Sequence, residues 1–419
     1  MRPDRLVAPA LGALWTHRSK LSFAWDVLRH GACADCSLGS SGLTGVVPGR
    51  HLCGRRLDRL SRETAPAFSP GLLEHPGSLR GLSARALRGL GRIPRPMIRR
   101  GSDGFHPISW ADATNLAAAR FRDERAEARW GLRVDPHGLD LETLFQLARF
   151  ADRMERRRER RESTEVPLID LAVPAGERTL RRAARAALGH ASSSASSVEL
   201  SPGDRALLVS DGDQPLFGEV VASLEARGVL VERRRADHAE ERWPSEVRHT
   251  LVFGRSGTVG ALAAGLPLQD LATPVTKLSA LYLVGDLAAR WTTGWESVPV
   301  RVHQASFLDP TMLTPAPEAV LLLPASPNAD LPGGGSHLSD DLIVRYSAQV
   351  VGSPGSDAKP HWESPVLIGA LADTDIGDAL AAHDSTALRS ALAASRPGLA
   401  GVLGLSAPAD SFRLPAPVP

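Results

Sequence analysis

Cysteine is scarce in this sequence, and its scarcity excludes one class of protein. The 419 residues contain three cysteines, too few for a disulfide framework in a chain of this length. A small secreted protein stapled by disulfides is therefore excluded. The same scarcity favours a reducing compartment, and we predict a cytoplasmic location.

Long apolar runs and a strong excess of one charge are also missing. No apolar run approaches the about 20 residues that a transmembrane helix requires, so the sequence predicts no membrane span. The net charge is +2, which gives no general case for a nucleic-acid partner. The GxSxG pattern of a nucleophile elbow is absent as well, which disfavours a serine hydrolase.

All three cysteines lie in one glycine-rich stretch, GACADCSLGSSGLTGVVPGRHLCGRRL. Cys33 and Cys36 have CxxC spacing, and Cys53 follows after a loop. Three thiolates brought together in this way can hold one face of an iron–sulfur cluster. Redox dithiols and zinc sites also use CxxC, although a closed structural zinc site normally takes four ligands. The remaining alternative is three small buried residues in a compact loop.

The first 200 residues contain few regular elements. Residues 1–125 are loop-rich, and a helix should open at Ser109, whose side chain can cap it with Asp112 three residues on, and run through Arg122. Residues 126–200 form a separate helical, arginine-rich segment. Apolar residues at helical spacing predict an amphipathic helix over 140–154. Its arginine-rich continuation is either a docking surface or, as we favour, a solvated face with internal ion pairs.

From residue 201 the pattern alternates between strand and helix, which predicts an α/β fold with a mostly parallel, doubly wound sheet. We assign 201–372 to this nucleotide-binding-like domain. Residues 373–419 hold only a short helix around Ser385 to Ala394 and a Pro/Ala-rich tail. Strands are predicted at Arg205 to Ser210, Val229 to Val231, Thr250 to Phe253, Ala280 to Val284, Val300 to His303 and Ala319 to Leu323.

Ligands of such sheets bind beyond the carboxyl ends of the strands. Gly, Asp, Ser and Gln are frequent in the turns that follow the predicted strands. Glycine amides and short polar side chains can receive a pyrophosphate group and a purine edge. Ordinary turn chemistry selects most of the same residues, so each turn taken alone is a weak signal.

Several motifs, in this order, resemble molybdopterin-dependent oxidoreductases, and most closely the formate dehydrogenase alpha-subunit-like branch. The motifs are CADCSLG, HLCGRRLDRL, LRGLGRIPRPMIRRGSDGFHPISWADA, LVSDGDQPLFGEVVASLEARGVLV, LYLVGDL, VRVHQASFLDPTML, EAVLLLPASPNADLPGGGSHLSDDLIVRYS and AKPHWESPVLIGAL. The resemblance implies an iron–sulfur cluster of the 4Fe-4S kind at the three cysteines. It also implies molybdopterin guanine dinucleotide at the strand ends, on Asp211, Gln214, Gly285, Asp286, Gln304 and Gly334.

The sequence also departs from that family. Residues 126–200 contain no cysteine that could ligate molybdenum. Leu287, Ala305 and Asp330 stand where the family has asparagine, aspartate and glutamate. The family's carboxyl-terminal barrel is not found. Two functions are therefore expected: a formate dehydrogenase-like redox protein with an incomplete molybdenum site, or an inactive assembly, electron-relay or partner-binding module of the same ancestry.

Overall fold

The computed structural model describes more than half of the chain. The described residues are 65–101, 103–122, 129–160, 168–171, 201–210, 217–235, 249–253, 258–267, 275, 277–326, 336–339, 342–345, 357–382, 384–406 and 410–413. Within them the α-helices are α1 Ala84–Gly89, α2 Trp110–Arg122, α3 Leu141–Arg160, α4 Phe217–Ala226, α5 Thr258–Ala264, α6 Glu363–Ala372, α7 Thr374–Leu380 and α8 Ser385–Ser395.

The strands of the described residues form three sheets. They are β1 Met97–Arg100, β2 His106–Pro107, β3 Trp130–Val134, β4 Leu168–Leu171, β5 Arg205–Ser210, β6 Leu230–Arg235, β7 His249–Phe253, β8 Ala280–Val284, β9 Val300–Ala305, β10 Ala319–Ser326, β11 Ser336–Ser339, β12 Leu342–Arg345, β13 Lys359–Pro360 and β14 Ser411–Arg413. The main sheet has eight strands in the order β2-β1-β10-β9-β8-β3-β4, with β13 paired to the end of β10.

The main sheet is mostly parallel, as the alternating pattern predicted. Strands β2, β13, β10, β9, β8, β3 and β4 run in one direction, and only β1, which pairs antiparallel with both β2 and β10, runs in the opposite direction. Strands β8 and β10 read as nearly continuous apolar runs because both faces of the sheet are covered, which is typical of parallel sheets. Strand β9, VRVHQA, also contains buried polar residues. Every residue of β8 and β9 is buried. The α/β class with a mostly parallel sheet is thus confirmed.

Residues 126–200, which the sequence analysis treated as a helical insert, supply two strands of this sheet. Strands β3 and β4 pair in parallel and are joined by α3. The amphipathic helix was predicted correctly, but the two strands beside it were missed. WGLRV and LIDL each contain a charged residue, yet all nine residues are buried. The charges are tolerated because Arg133 and Asp170 form an ion pair with each other.

Helix α3 covers one face of the sheet with the apolar residues that recur at helical spacing in its sequence. Leu141, Leu144 and Phe145 are buried. On the opposite side of the helix, Arg156 pairs with Asp152 one turn earlier. The arginine-rich continuation of the helix therefore includes an exposed ion pair of the kind favoured in the sequence analysis.

An aromatic cluster joins the helices of this face to the strands beneath. The ring of Phe121 in α2 lies 5.3 Å from Trp130 in β3 and 6.0 Å from Phe150 in α3. Phe150 in turn contacts Tyr282 in β8 at 6.2 Å, edge to face. Such pairs add about 0.5–1.5 kcal/mol each beyond the area they bury. Three consecutive elements, α2, β3 and α3, are thereby joined in one core to β8, which lies far from them in the sequence.

The start of α2 is built as its sequence indicated. The backbone amide of Asp112 donates to Ser109 Oγ at 3.0 Å, and Ser109 Oγ donates to Asp112 Oδ2 at 2.7 Å. The first bond satisfies an amide that has no partner within the helix, and the second holds the Ser109 hydroxyl in place. The predicted cap is confirmed, and the helix ends at Arg122 as expected.

The two smaller sheets differ in strand direction. Strands β6, β5 and β7 are parallel, and α4 connects β5 to β6, so the βαβ unit predicted there is confirmed. Strands β11, β12 and β14 are antiparallel.

The carboxyl-terminal region contains more structure than the predicted short helix and tail. Helix α7 and strand β14 were both missed. The sequence of α7, TDIGDAL, has weak helix propensity. Its amide ends are satisfied by Asp373, whose side chain accepts from the backbone of Asp375 at 3.0 Å. Gly377 lies directly against Ala370 of α6. Packing between α6 and α7 therefore determines the helical structure of α7.

In the described part of the chain, no helix combines the length and the apolar character needed to cross a bilayer. Cys33, Cys36 and Cys53 lie outside the described residues. The iron–sulfur region therefore stays a prediction, as do the domain boundaries at 125, 200 and 372.

Candidate functional site at the carboxyl edge of the main sheet

The carboxyl ends of four parallel strands meet at one edge of the main sheet. The amide of Asp135, just after β3, donates to the carbonyl of Val284 at the end of β8 at 2.8 Å. The amide of Gly285 then donates to the carbonyl of Gln304 in β9 at 2.9 Å. Polar residues that are far apart in sequence thus become neighbours. Parallel α/β sheets bind their ligands at such an edge.

Gly285 allows the chain to turn where the ends of β3 and β8 pack closely against each other. Its φ is +99°, a conformation that residues with a Cβ rarely adopt. A Cβ at this position would lie 2.6 Å from the carbonyl oxygen of Asp135. The glycine therefore brings the ends of β3 and β8 together and places Asp286 directly at the edge.

Asp286 is half-buried and is held by one of its two carboxylate oxygens. Oδ1 accepts hydrogen bonds from the backbone amides of Ser306 at 3.0 Å and Phe307 at 3.3 Å. The other oxygen, Oδ2, has no hydrogen-bond partner among the described residues. The carboxylate is therefore fixed in place by the chain that follows β9 and keeps one acceptor available.

Gln304 holds the edge together from inside. It is fully buried, and both of its polar groups are used. Its Oε1 accepts from the hydroxyl of Tyr282, and its Nε2 donates to the carbonyl of His361 at 2.6 Å. Burial raises the pKa of Tyr282 far above its usual value, so the hydroxyl stays a donor. The side chain of Gln304 thus connects β8, β9 and the start of α6.

The short strand β13 brings a second group of polar residues to the same edge. His361 is buried and its Nδ1 lies 3.1 Å from the carbonyl of Ser326. A carbonyl only accepts, so Nδ1 carries the proton in this bond. Three further buried polar atoms have no hydrogen-bond partner in the part of the chain that the structure describes: Ser326 Oγ, Trp362 Nε1 and Ser364 Oγ. Buried polar groups are normally satisfied.

Sequence reasoning missed His361, Trp362 and Ser364 as components of this edge, whereas Ser326 lies in the turn after the last predicted strand. The motif AKPHWESP was noted only as part of a resemblance. Its position depends on β13 pairing with the last two residues of β10. A two-residue strand leaves no periodic signal in a sequence, so local patterns did not reveal it.

The predicted site residues fall into two groups. Gly285, Asp286 and Gln304 are brought together at the edge. Asp211, Gln214 and Gly334 lie outside the described residues, as do the three cysteines. The strand before Asp211 and Gln214 is β5, which belongs to a different sheet from β8 and β9.

Within the described residues, no group of three or more His, Cys, Asp or Glu side chains is arranged to hold a metal ion. What the edge offers is hydrogen bonding from a fixed carboxylate, a buried imidazole and hydroxyl groups, over a scaffold of strand-end backbone. Such groups can bind the hydroxyls or ring edge of a nucleotide. No family model matches the chain, and a search of curated proteins finds no match either.

Proposed function

We propose that this chain is a molybdopterin oxidoreductase-like redox protein, related to formate dehydrogenases, that binds a pterin guanine dinucleotide at the carboxyl edge of its main sheet. The proposal includes a doubly wound sheet and a small amino-terminal iron–sulfur region. Its support is the ordered set of motifs in the sequence together with the arrangement of Gly285 and Asp286 in the parallel sheet. A cytoplasmic location accompanies it, because three cysteines in a chain of this length do not form a disulfide framework and a reducing compartment is therefore favoured.

The observation that carries the proposal is the half-satisfied carboxylate of Asp286. Two backbone amides hold one oxygen, and the other oxygen can accept from a ribose hydroxyl or a guanine N–H. A side chain fixed in this way has lost its conformational freedom before binding, which reduces the entropic cost of binding. In this proposal Asp286 contacts the nucleotide, Gly285 allows its close approach, and Gln304 supports the edge from beneath.

Cys33, Cys36 and Cys53 would hold the cluster, which supplies one-electron transfer when it is bound. Asp211, Gln214 and Gly334 would complete the nucleotide site from the turns after β5 and β10. No residue of the chain is assigned as a molybdenum ligand, and no step of turnover is derived. A redox or assembly protein would be the partner that exchanges electrons with the cluster.

The alternative is a catalytically inactive module of the same ancestry, acting in assembly, electron relay or partner binding. Gln304 favours this alternative, because it is fully buried and both of its polar groups bind other parts of the protein. The absence of cysteine from residues 126–200 favours it too. Both functions retain the cluster, so they differ in molybdenum content and turnover.

Metal content distinguishes the two functions. The full chain should be purified without oxygen, and iron and molybdenum should be measured together by mass spectrometry. Iron with molybdenum supports the redox protein, iron alone supports the module, and neither metal overturns both. Cys36→Ser should lower the iron content severalfold, whereas the neighbouring control Ser37→Ala should leave it unchanged.

Guanosine diphosphate is a probe for the nucleotide half of the site. Asp286→Asn keeps the oxygen that caps Ser306 and Phe307 but replaces Oδ2 with an amide donor. We expect at least tenfold weaker binding of the nucleotide by calorimetry, since one good polar contact is worth about 1.4 kcal/mol or more. Asp384→Asn, a cap substitution in α8, is the matched control. Equal affinity of both variants and the wild type would remove Asp286 from the site.

A further inference from the structure

The chain that follows β9 connects the candidate site to the amino-terminal region. The pairing of β9 with β10 ends just before residues 306–309, which we call the post-β9 segment. Its first two amides, those of Ser306 and Phe307, donate to the carboxylate of Asp286. The carbonyl of Ser306 accepts from the amide of Ile93 at 3.0 Å. The position of the segment therefore depends on a few individual contacts instead of a strand ladder.

Asp309 ends the segment with a buried carboxylate that uses both of its oxygens. Oδ2 accepts from Arg290 Nη2 at 2.8 Å, and Oδ1 accepts from the amide and the hydroxyl of Thr311 at 3.2 and 3.0 Å. Arg88 Nη2, from α1, lies 3.8 Å from Oδ2. Hydrogen bonds between ionised groups are among the strongest in proteins. This carboxylate therefore joins the post-β9 segment to the turn after β8 and to α1.

The turn after β8 carries both Asp286 and Arg290. They are four residues apart, and the amide of Arg290 donates to the carbonyl of Leu287 at 2.9 Å, which folds the chain between them into a turn. This turn and the post-β9 segment are thus in contact at two places. Asp286 accepts from the start of the segment, and Arg290 donates to Asp309 at its end.

The two contacts have different roles in the site. With the contact at Asp286 alone, the turn and the post-β9 segment could shift relative to each other. The contact between Arg290 and Asp309 opposes that shift. It therefore holds the two amides in place relative to the carboxylate that they bind. Binding groups are effective when they are held within about 0.5 Å of the productive geometry.

We propose that Asp309 is a positioning residue of the nucleotide site. Paired with Arg290, it holds the amides of Ser306 and Phe307 where they orient the carboxylate of Asp286. Asp309 does not itself touch the ligand, because both of its oxygens are bonded within the protein. The inference rests on the proposed function, since the ligand concerned is the nucleotide at the carboxyl edge.

Asp309→Asn keeps the size of the side chain but removes the charge that pairs with Arg290. We expect it to bind guanosine diphosphate about fivefold more weakly in calorimetry, as coupled members of one hydrogen-bond network do. Glu318→Gln, which removes the charge from the exposed Arg120–Glu318 pair, is the matched control and should bind as the wild type does. If Asp286→Asn binds more weakly but Asp309→Asn binds normally, the inference is overturned and the proposed function stands.

A double variant distinguishes positioning from a general loss of structure. If Asp309 acts through Asp286, adding Asp309→Asn to Asp286→Asn should weaken binding by less than the product of the two single effects. Multiplicative effects would show that Asp309 acts elsewhere. Should Asp309→Asn fail to fold, Arg290→Lys and Arg290→Met replace it. The lysine keeps the charge that faces Asp309, so Arg290→Lys should bind more tightly, and equal binding would count against the pair.

Hydrogen exchange in the free protein tests the positioning without a nucleotide. In Asp309→Asn, the amides of Ser306 and Phe307 should exchange with deuterium faster relative to the amides of β9, as measured by NMR. A global loss of stability would accelerate both sets alike, and that result would overturn the inference. If the wild type does not bind guanosine diphosphate, the nucleotide site is overturned. The exchange rates then decide alone whether Asp309 positions Asp286.

Discussion

His303 shows how strongly the environment of one side chain can alter its chemistry. Burial, with the charge of Arg301, lowers the pKa of His303 to about 3. An unfolded histidine titrates near pH 6.5. Between these two pKa values, His303 is therefore protonated in the unfolded chain and neutral in the folded chain. The stability that neutral His303 contributes is present above about pH 6.5 and is lost as the pH falls toward 3.

Replacing His303 with phenylalanine should remove part of this acid sensitivity. Between pH 6 and 4, the free energy of unfolding of the wild type should fall relative to that of His303→Phe by about 1.4 kcal/mol per pH unit. Urea unfolding at several pH values measures the difference. Parallel profiles for the two proteins would show that the histidine is protonated in the folded state.

The comparison with the variant is needed because the titration of Asp140 changes the stability of the protein with pH in the direction opposite to that of His303. Burial, followed by the charge of Glu142, raises the pKa of Asp140 to about 7. Stability contributed by protonated Asp140 is present at low pH and decreases as the pH rises from about 4 toward 7. Asp140 also caps α3 through the amide and hydroxyl of Thr143 at 2.7 and 2.8 Å. Only the difference in the free energy of unfolding between the wild type and His303→Phe isolates the contribution of the histidine.

At the scale of elements, local sequence patterns were sufficient to predict each helix or strand whose own residues form a cap, an apolar stripe or an apolar run. The cap at Ser109, the apolar stripe of α3 and the apolar strands β8 and β10 all have such signals. Strands β3 and β4 do not, because Arg133 and Asp170 interrupt them, and their mutual pairing is a tertiary contact. For the same reason, the role of β13 in completing the edge was not predictable from local sequence.

A buried ion pair connects two helices that are far apart in the chain. Arg389 Nε of α8 lies 2.5 Å from Glu142 Oε1 of α3, and both side chains are almost fully buried. Removing one partner of such a pair leaves a buried charge. Arg389→Met should therefore destabilise the protein by about 3 kcal/mol.

The double variant Glu142→Gln, Arg389→Met should recover much of that loss, since no uncompensated charge remains. Chemical unfolding of the single and double variants measures it. Arg120→Met, which breaks the exposed pair with Glu318, should cost less than about 1 kcal/mol. A double variant that is less stable than Arg389→Met would show that Glu142 is held mainly by other contacts.

At the scale of the whole molecule, the class of the fold followed from the sequence, but the order of its strands did not. Alternation of apolar strands with helices indicates a parallel sheet wherever it occurs. It does not say that β5, β6 and β7 form a sheet of their own, or that β3 joins β8. Those pairings depend on which apolar faces fit together. The same applies to the candidate site. Gly285, Asp286 and Gln304 were predicted as site residues, whereas the residues that surround them were not, because their positions depend on strand pairing.

The arrangement of the main sheet predicts a gradient of local stability. Strand β9 is buried along its whole length and is paired on both sides, whereas the two residues of β2 are exposed at the sheet's border. Amides of β9 should exchange with deuterium only on global opening. The amide of His106, the one amide of β2 because Pro107 has none, should exchange orders of magnitude faster. Mass spectrometry of exchanging peptides measures this. Equal rates would indicate that the sheet opens as one unit.

Strand β1 has consequences for the way the protein is made. It pairs along its whole length with β10, about 220 residues further on, and β13 joins that strand later still. A ribosome adds about 5–20 residues per second. Residues 97–100 must therefore wait at least about 10 s for their partner to be synthesised. Through that interval the apolar residues Met97 and Ile98 stay uncovered by their native neighbours, so chaperone binding during translation should be strongest for nascent chains that stop short of residue 319.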